Sequence, residues 1–128
     1  MSEFKIRKII ESDLENGFLE SLDNLRLATN LEHNSANSIL KEIIQNENHI
    51  IHVEELDGKI VGSTTLIIEQ KFIHEGGLVG HIEDVVVKKG FEAQGIGAKL
   101  VLSLLDVAKK RKCYKTILNC EDKLIPFY

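Results

Sequence analysis

Along the 128 residues, apolar positions switch between a two-residue and a three-to-four-residue period. These switches mark where strands give way to helices. Phe4-Lys5-Ile6-Arg7-Lys8-Ile9 alternates and predicts a strand over 4–9, with Phe4 and Ile6 on one face. Leu14, Phe18, Leu22 and Leu25 then recur at helical spacing, behind Ser12 or Asp13 as the capping residue. The pattern lapses into a polar loop around Thr29 and Asn30. It resumes with Ser35, Ser38, Ile39, Leu40, Ile43 and Ile44, a second helix ending near Asn46. A strand over 49–55 meets Asp57-Gly58, a tight-turn signal that predicts a hairpin with a return strand over 59–69. Residues 70–78 read as a loop holding Lys71, His74, Glu75 and Gly76-Gly77.

The stretch 79–101 organises the rest. A valine-rich strand over 79–87 carries Glu83 and Asp84 at its centre, and a glycine-punctuated loop follows. From Gly95 a helix runs to about Arg111, with Ile96, Leu100, Leu104 and Ala108 on one stripe and Val101 and Leu105 beside it. Residues 114–120 form another strand, and 121–128 begin a helix interrupted at Pro126. The order β-αα-βββ-α-β-α, without repeats or linkers, predicts an α/β fold in which one mixed sheet is covered by helices. We read 1–128 as a single domain.

Composition narrows the function without choosing it. A net charge of −4 argues against a nucleic-acid partner. The basic run from Lys109 to Lys112 sits where a helix C-terminus already favours cations. Cys113 and Cys120, seven residues apart on an extended strand, are too distant for a disulfide and read as buried thiols. There is no run of about 18 apolar residues for a membrane span, and no secretory signal. The chain reads as reduced and cytoplasmic.

Candidate chemistry concentrates at the glycine loop. A strand feeding Gly95-x-Gly97 and then a helix presents free backbone N–H groups to a phosphate. It is not a Walker loop, because Ile96 stands where lysine is needed. It is not a dinucleotide fingerprint either, because Leu100 occupies the third glycine position. Adjacent residues of a regular strand face opposite ways, so Glu83 and Asp84 share a site only where the strand bulges. His74 and His81 have no partners at zinc spacing, and we expect no metal. His33, His49 and His52 read as surface or strand polar positions.

With its strand before and its helix after, the segment from Glu92 to Gly97 resembles the acetyl-CoA-binding motif of the GNAT superfamily of acetyltransferases, [R/Q]-x-x-G-x-[G/A]. The element order is also that superfamily's, implying a mostly antiparallel sheet. The stretches I-I-E-Q-K-F-I-H-E (67–75), G-H-I-E-D-V (80–85) and C-Y-K-T-I-L-N-C (113–120) resemble the branch that acetylates glucosamine 6-phosphate.

That resemblance implies roles. Backbone groups of Val85, Val86 and Val87 would pair with the pantetheine arm of acetyl-CoA. The N–H groups of Gln94, Gly95, Ile96, Gly97 and Ala98 would cradle its pyrophosphate. Lys71, Phe72, Ile73 and His74, with Thr29 from the first helix–helix loop, would contact the sugar phosphate. Glu83 and Asp84 would face the amino sugar as catalytic carboxylates, and Tyr128 would approach the coenzyme sulfur. Asn119 stands where the branch has an aspartate holding the sugar. Glu92 stands where the motif has Arg or Gln, and puts a negative charge beside the diphosphate. The family pattern continues past Tyr128 with further strands that help form a homodimer, so those strands are expected to be missing from this chain. A GNAT enzyme for another small amine, or a non-catalytic acetyl-CoA-binding module, remain alternatives at this point.

Overall fold

The computed structural model describes residues 3–119 and arranges five strands in the order β1-β2-β3-β4-β5. β1 (Phe4–Lys8), β2 (His49–Leu56), β3 (Lys59–Gln70) and β4 (Leu78–Val87) pair antiparallel. β5 (Cys113–Leu118) pairs with β4 in parallel. A parallel neighbour needs a crossover, which α4 (Ile96–Lys110) supplies. The mixed, mostly antiparallel α/β sheet is therefore as expected.

Helices cover both faces because β2 alternates two apolar sets. Ile51 and Val53 pack with Phe18 of α1 (Phe18–Leu22) and Leu40 of α2 (His33–Gln45). Ile50 packs the other way, with Leu66, Ile82 and the α4 stripe residues Val101, Leu104 and Ala108. Gly62 lets α4 close on the sheet: a Cβ there would stand 2.9 Å from Ile96 Cγ2 and 3.1 Å from Leu100 Cδ1. The hairpin turn at Asp57-Gly58 is as predicted, both residues having the positive φ a two-residue turn requires.

The first helix differs from expectation. Residues Glu11–Asn16 form a 3-10 helix, Gly17 turns left-handed at φ 96°, and only Phe18–Leu22 is α-helical. Neither Ser12 nor Asp13 is the N-cap; Ile10 is. Asp13 instead reaches back from the third position, its Oδ2 accepting the Ile10 N–H at 2.9 Å. It is also fully buried and receives a bidentate pair from Arg7, both contacts at 2.8 Å. Arg7 bonds Glu55 as well, at 2.7 Å. A long-range ion network thus overrides the local helical pattern. Leu25 falls beyond the helix.

Smaller differences follow from local geometry. β3 extends to Gln70, and the loop after it contains α3 (Ile73–Gly76), a single turn with His74 and Glu75 at positive φ. The basic helix end is partly tied down: Arg111 donates to Glu47 O and Asn48 Oδ1, and Lys110 pairs with Asp106. Cys113 is a free, half-buried thiol, its pKa raised chiefly by burial. Cys120 and the segment 121–128 lie outside the described residues.

Candidate active site

The site is built on an irregularity in β4. Thr65 of β3 faces Glu83, while Ser63 faces Val86. Asp84 and Val85 therefore oppose Thr64 alone, which is a β-bulge. Asp84 takes a left-handed φ of 52°, and Thr64 Oγ1 donates to the Glu83 carbonyl at 3.3 Å. The bulge breaks the alternation of faces, so neighbouring Glu83 and Asp84 line one cavity.

That cavity, about 530 Å³, lies between the sheet and the N-terminal helices. Phe18, Leu19 and Leu22 of α1 and Ala36, Ile39, Leu40 and Ile43 of α2 form much of its wall. Leu27, Ala28 and Leu31 of the intervening loop, together with Leu14, Ile51 and Ile67, complete the apolar part. Its polar groups come from Asn30, His49, Ser63, Thr65, Glu83 and Asp84. Burial holds the His49 imidazole below its ordinary pKa, against the opposing pull of the Glu83 charge. At the rim, Asn119 Nδ2 donates to Glu83 Oε1 at 3.2 Å.

A second cavity of about 260 Å³ opens beyond the bulge. The pairing of β4 with β5 ends at Ile82↔Leu118, and the Asn119 N–H bonded to Ile82 O closes it. Among the described residues no strand pairs with β4 on that side past this point, so its edge can pair with an extended ligand. Val85, Val86 and Val87 line this groove with Phe91, Gly95, Ile96, Gly97 and Ala98. Gly95, at φ 76°, is the N-cap of α4, and no side chain caps the helix there. Its first-turn N–H groups are therefore available to an anion. A Cβ on Gly97 would stand 3.8 Å from both Val85 Cγ1 and Val87 Cγ2, filling the groove without clashing with the protein. These features fit a pantetheine diphosphate. Gln94 is exposed in the loop and is not part of the groove lining.

Glu92 lines this groove, but its carboxylate is folded into its own loop. Oε1 accepts the Gly90 N–H at 2.6 Å, and Oε2 lies 3.2 Å from Asn24 Nδ2. Backbone N–H donors hold its pKa below the usual carboxylate range. Asn24 also donates to the Val87 carbonyl at 2.7 Å, so the segment after α1 is clasped to the end of β4.

The remaining expected residues that the structure describes line neither cavity. Lys71 pairs with Glu69 at 2.9 Å, and the other oxygen of Glu69 meets His81 Nε2 at 2.9 Å. The Lys71 bond, and then the His81 bond, lower the Glu69 pKa. Phe72 and Ile73 are exposed, and the His74 ring lies 4.1 Å from the Tyr114 ring. Thr29 directs both its N–H and its hydroxyl to Asp23, shaping the loop over the larger cavity. Tyr128 lies outside the described residues.

Sequence reasoning passed over His49, Asn24 and Glu54. His49 looked like an ordinary strand residue, and only the packing of the N-terminal helices on the sheet brings it into one cavity with the β4 carboxylates. Asn24 sits among the leucines at 22, 25 and 27 with no motif to mark it. Glu54 is 1% exposed on β2, with Oε2 unpartnered and its pKa raised by burial despite nearby Lys99. An acid inside an apolar strand was its only sequence signal.

A split strand beside a glycine-started helix, with a carboxylate chamber across the bulge, defines an acyl-CoA-dependent transferase fold. The family model for the acetyltransferase (GNAT) family matches residues 11–128, and the chain belongs to that family. Among its relatives, glucosamine 6-phosphate N-acetyltransferase of Arabidopsis thaliana is 39% identical, over 98% of this chain and 86% of that protein. Glucosamine 6-phosphate N-acetyltransferase 1 of Oryza sativa subsp. japonica is 33% identical over 98% and 78%. A crystal structure of the Arabidopsis thaliana glucosamine-6-phosphate N-acetyltransferase superposes with a TM-score of 0.93 at 38% identity, covering 98% of this chain and 88% of that one.

Proposed function

We propose that the chain transfers the acetyl group of acetyl-CoA to the amine of glucosamine 6-phosphate, forming N-acetylglucosamine 6-phosphate and free CoA. The observation that carries this reading is the bulge at Asp84, which sets the groove and the carboxylates on either side of one strand. The relatives' shared activity supplies the acceptor.

In this reading the backbone does the holding. Val85, Val86 and Val87 present a strand edge to the pantetheine, and the first turn of α4 takes the diphosphate. Holding both substrates in register supplies up to about 7–11 kcal/mol of the barrier reduction. Glu83, oriented by Asn119, takes a proton from the substrate ammonium, and Asp84 positions the amine. A backbone N–H at the splayed strand polarises the thioester carbonyl. As the C–N bond forms and the C–S bond breaks, the thiolate is protonated, and Tyr128 is the assigned donor. Lys71, Phe72, Ile73, His74 and Thr29 form the assigned sugar-phosphate contacts, with Lys71 released from Glu69 to meet the phosphate. A homodimer is part of this proposal: among the described residues β5 is an edge strand, with Tyr114 and Ile117 exposed along it.

Thiol release from acetyl-CoA, measured against a panel of amines with product mass, tests the reading. Glucosamine 6-phosphate should exceed glucosamine and simple amines in kcat/KM. Equal turnover of phosphorylated and unphosphorylated sugars would reassign the acceptor, and no turnover of any amine would leave a binding module.

A further inference from the structure

We infer that the larger cavity is an acyl-chain chamber, and that the chain transfers acyl groups longer than acetyl from their CoA thioesters to the same amine. The inference rests on the acyl-CoA reading of the groove above and extends the donor class.

The chamber is mismatched to an amino-sugar phosphate. Such a ligand presents hydroxyls and a dianion, whereas this wall is mostly leucine, isoleucine and phenylalanine. Its polar groups gather where β3 and β4 meet at the bulge, chiefly Ser63, Thr65, Glu83 and Asp84. The cationic side chain assigned to the phosphate, Lys71, lies outside it. A sugar held by Glu83, Asn119 and Lys71 lies along the rim, clear of the apolar wall that the described residues form. Leu27, Leu31 and Ile39 stay exposed at the mouth of the chamber, although each lines it.

Continuity names the occupant. The groove lining ends at Val85 and the chamber lining begins at Asp84, the next residue. A thioester delivered along Val87 and Val85 reaches the bulge with its acyl carbon at the chamber. Two acetyl carbons use little of about 530 Å³. A linear chain of four to eight carbons continues into the apolar part while the carbonyl stays beside the rim. The chemistry balances as for acetyl: the amine nitrogen bonds the acyl carbon, the C–S bond breaks, and the ammonium protons pass to the carboxylate and the thiolate. No further reactant is needed.

The test measures binding and transfer separately. Dissociation constants for acetyl-, butyryl- and hexanoyl-CoA are measured by calorimetry without acceptor. Each buried methylene should tighten binding, up to about fourfold. With glucosamine 6-phosphate present, hexanoyl-CoA should release thiol and give the hexanoyl amide by mass. The double substitution Leu27→Glu and Leu31→Glu, both at exposed positions, should lower the hexanoyl-to-acetyl ratio of kcat/KM at least tenfold. Affinity independent of chain length, or an unchanged ratio in the double variant, overturns the chamber. Acetyl transfer without hexanoyl transfer overturns the inference and leaves the acetyltransferase reading intact. Chain-length-dependent affinity with no transfer of either acyl group upholds the chamber and overturns the acceptor reading instead.

Discussion

The two cavities flanking the β4 bulge are made of different material. The groove is mostly backbone: a strand edge at Val85, Val86 and Val87, a helix start at Gly95, and the bare Cα of Gly97. One continuous run of sequence supplies nearly all of it. The chamber is mostly side chain, gathered from the 3-10 helix, α1, α2, β2, β3 and β4. Backbone recognition tolerates substitution wherever glycine is not required, whereas a side-chain wall changes its ligand with each residue. A site built this way fixes its coenzyme through backbone and leaves the occupant of the chamber to the side chains of its wall.

The sharpest way to break that division is at Glu83. Glu83→Gln should lower kcat about 10²–10⁴-fold, as expected for loss of a positioned proton acceptor. The acetyl-CoA dissociation constant should stay put. A parallel loss of coenzyme affinity would show that the two sides of the bulge are one site.

Next in size is the scaffold of the chamber. Arg7→Ala leaves Asp13 buried without its ion partner, at an expected cost of about 3–5 kcal/mol by denaturant titration. Asp13 anchors the 3-10 helix from which Leu14 lines the chamber. At temperatures where the variant stays folded, acetyl-CoA affinity should therefore hold better than hexanoyl-CoA affinity. The reverse order would place the anchor under the groove.

On the groove side, Gly97→Val should weaken CoA binding at least tenfold while Tm moves little, since a Cβ there enters the groove and meets Val85 and Val87 only at an ordinary contact distance of 3.8 Å. Calorimetry showing wild-type affinity would remove the diphosphate from α4.

Glu54, facing α4 near Lys99, gives a stability test with a pH sign. Its carboxyl pKa is raised in the fold, so ionising it costs stability. Stability should rise as pH falls from 7 through the folded pKa toward the ordinary glutamate value. Glu54→Gln should flatten that slope and gain about 1 kcal/mol at pH 7. A variant that keeps the slope would mean another carboxylate sets it.

The smallest expected effect is at Glu92. Because its carboxylate is already engaged by Gly90 N–H and Asn24, Glu92→Gln should tighten CoA only about two- to fivefold at low salt, and less at high salt. Weaker binding would show that the clasp on the loop outweighs the charge.

Local chemistry is legible in the chain itself. The turn at Asp57-Gly58, the stripe of α4 and the strand-to-glycine-to-helix run depend on residues adjacent in sequence, and each follows from backbone preference and periodicity. Whether Glu83 and Asp84 could share a cavity was reducible to one condition, a bulge, but its presence depended on how β4 registers with β3. The broken first helix could not be read. Its 3.6-residue pattern ran through Gly17, and what overrode it was Arg7 holding both Asp13 and Glu55, the latter 48 residues beyond Arg7 itself. His49 in one cavity with Glu83, Asn24 on Val87 and the apolar chamber share that origin. Each joins segments that only packing of the helices on the sheet brings together, and periodicity records which face is buried without recording what it meets.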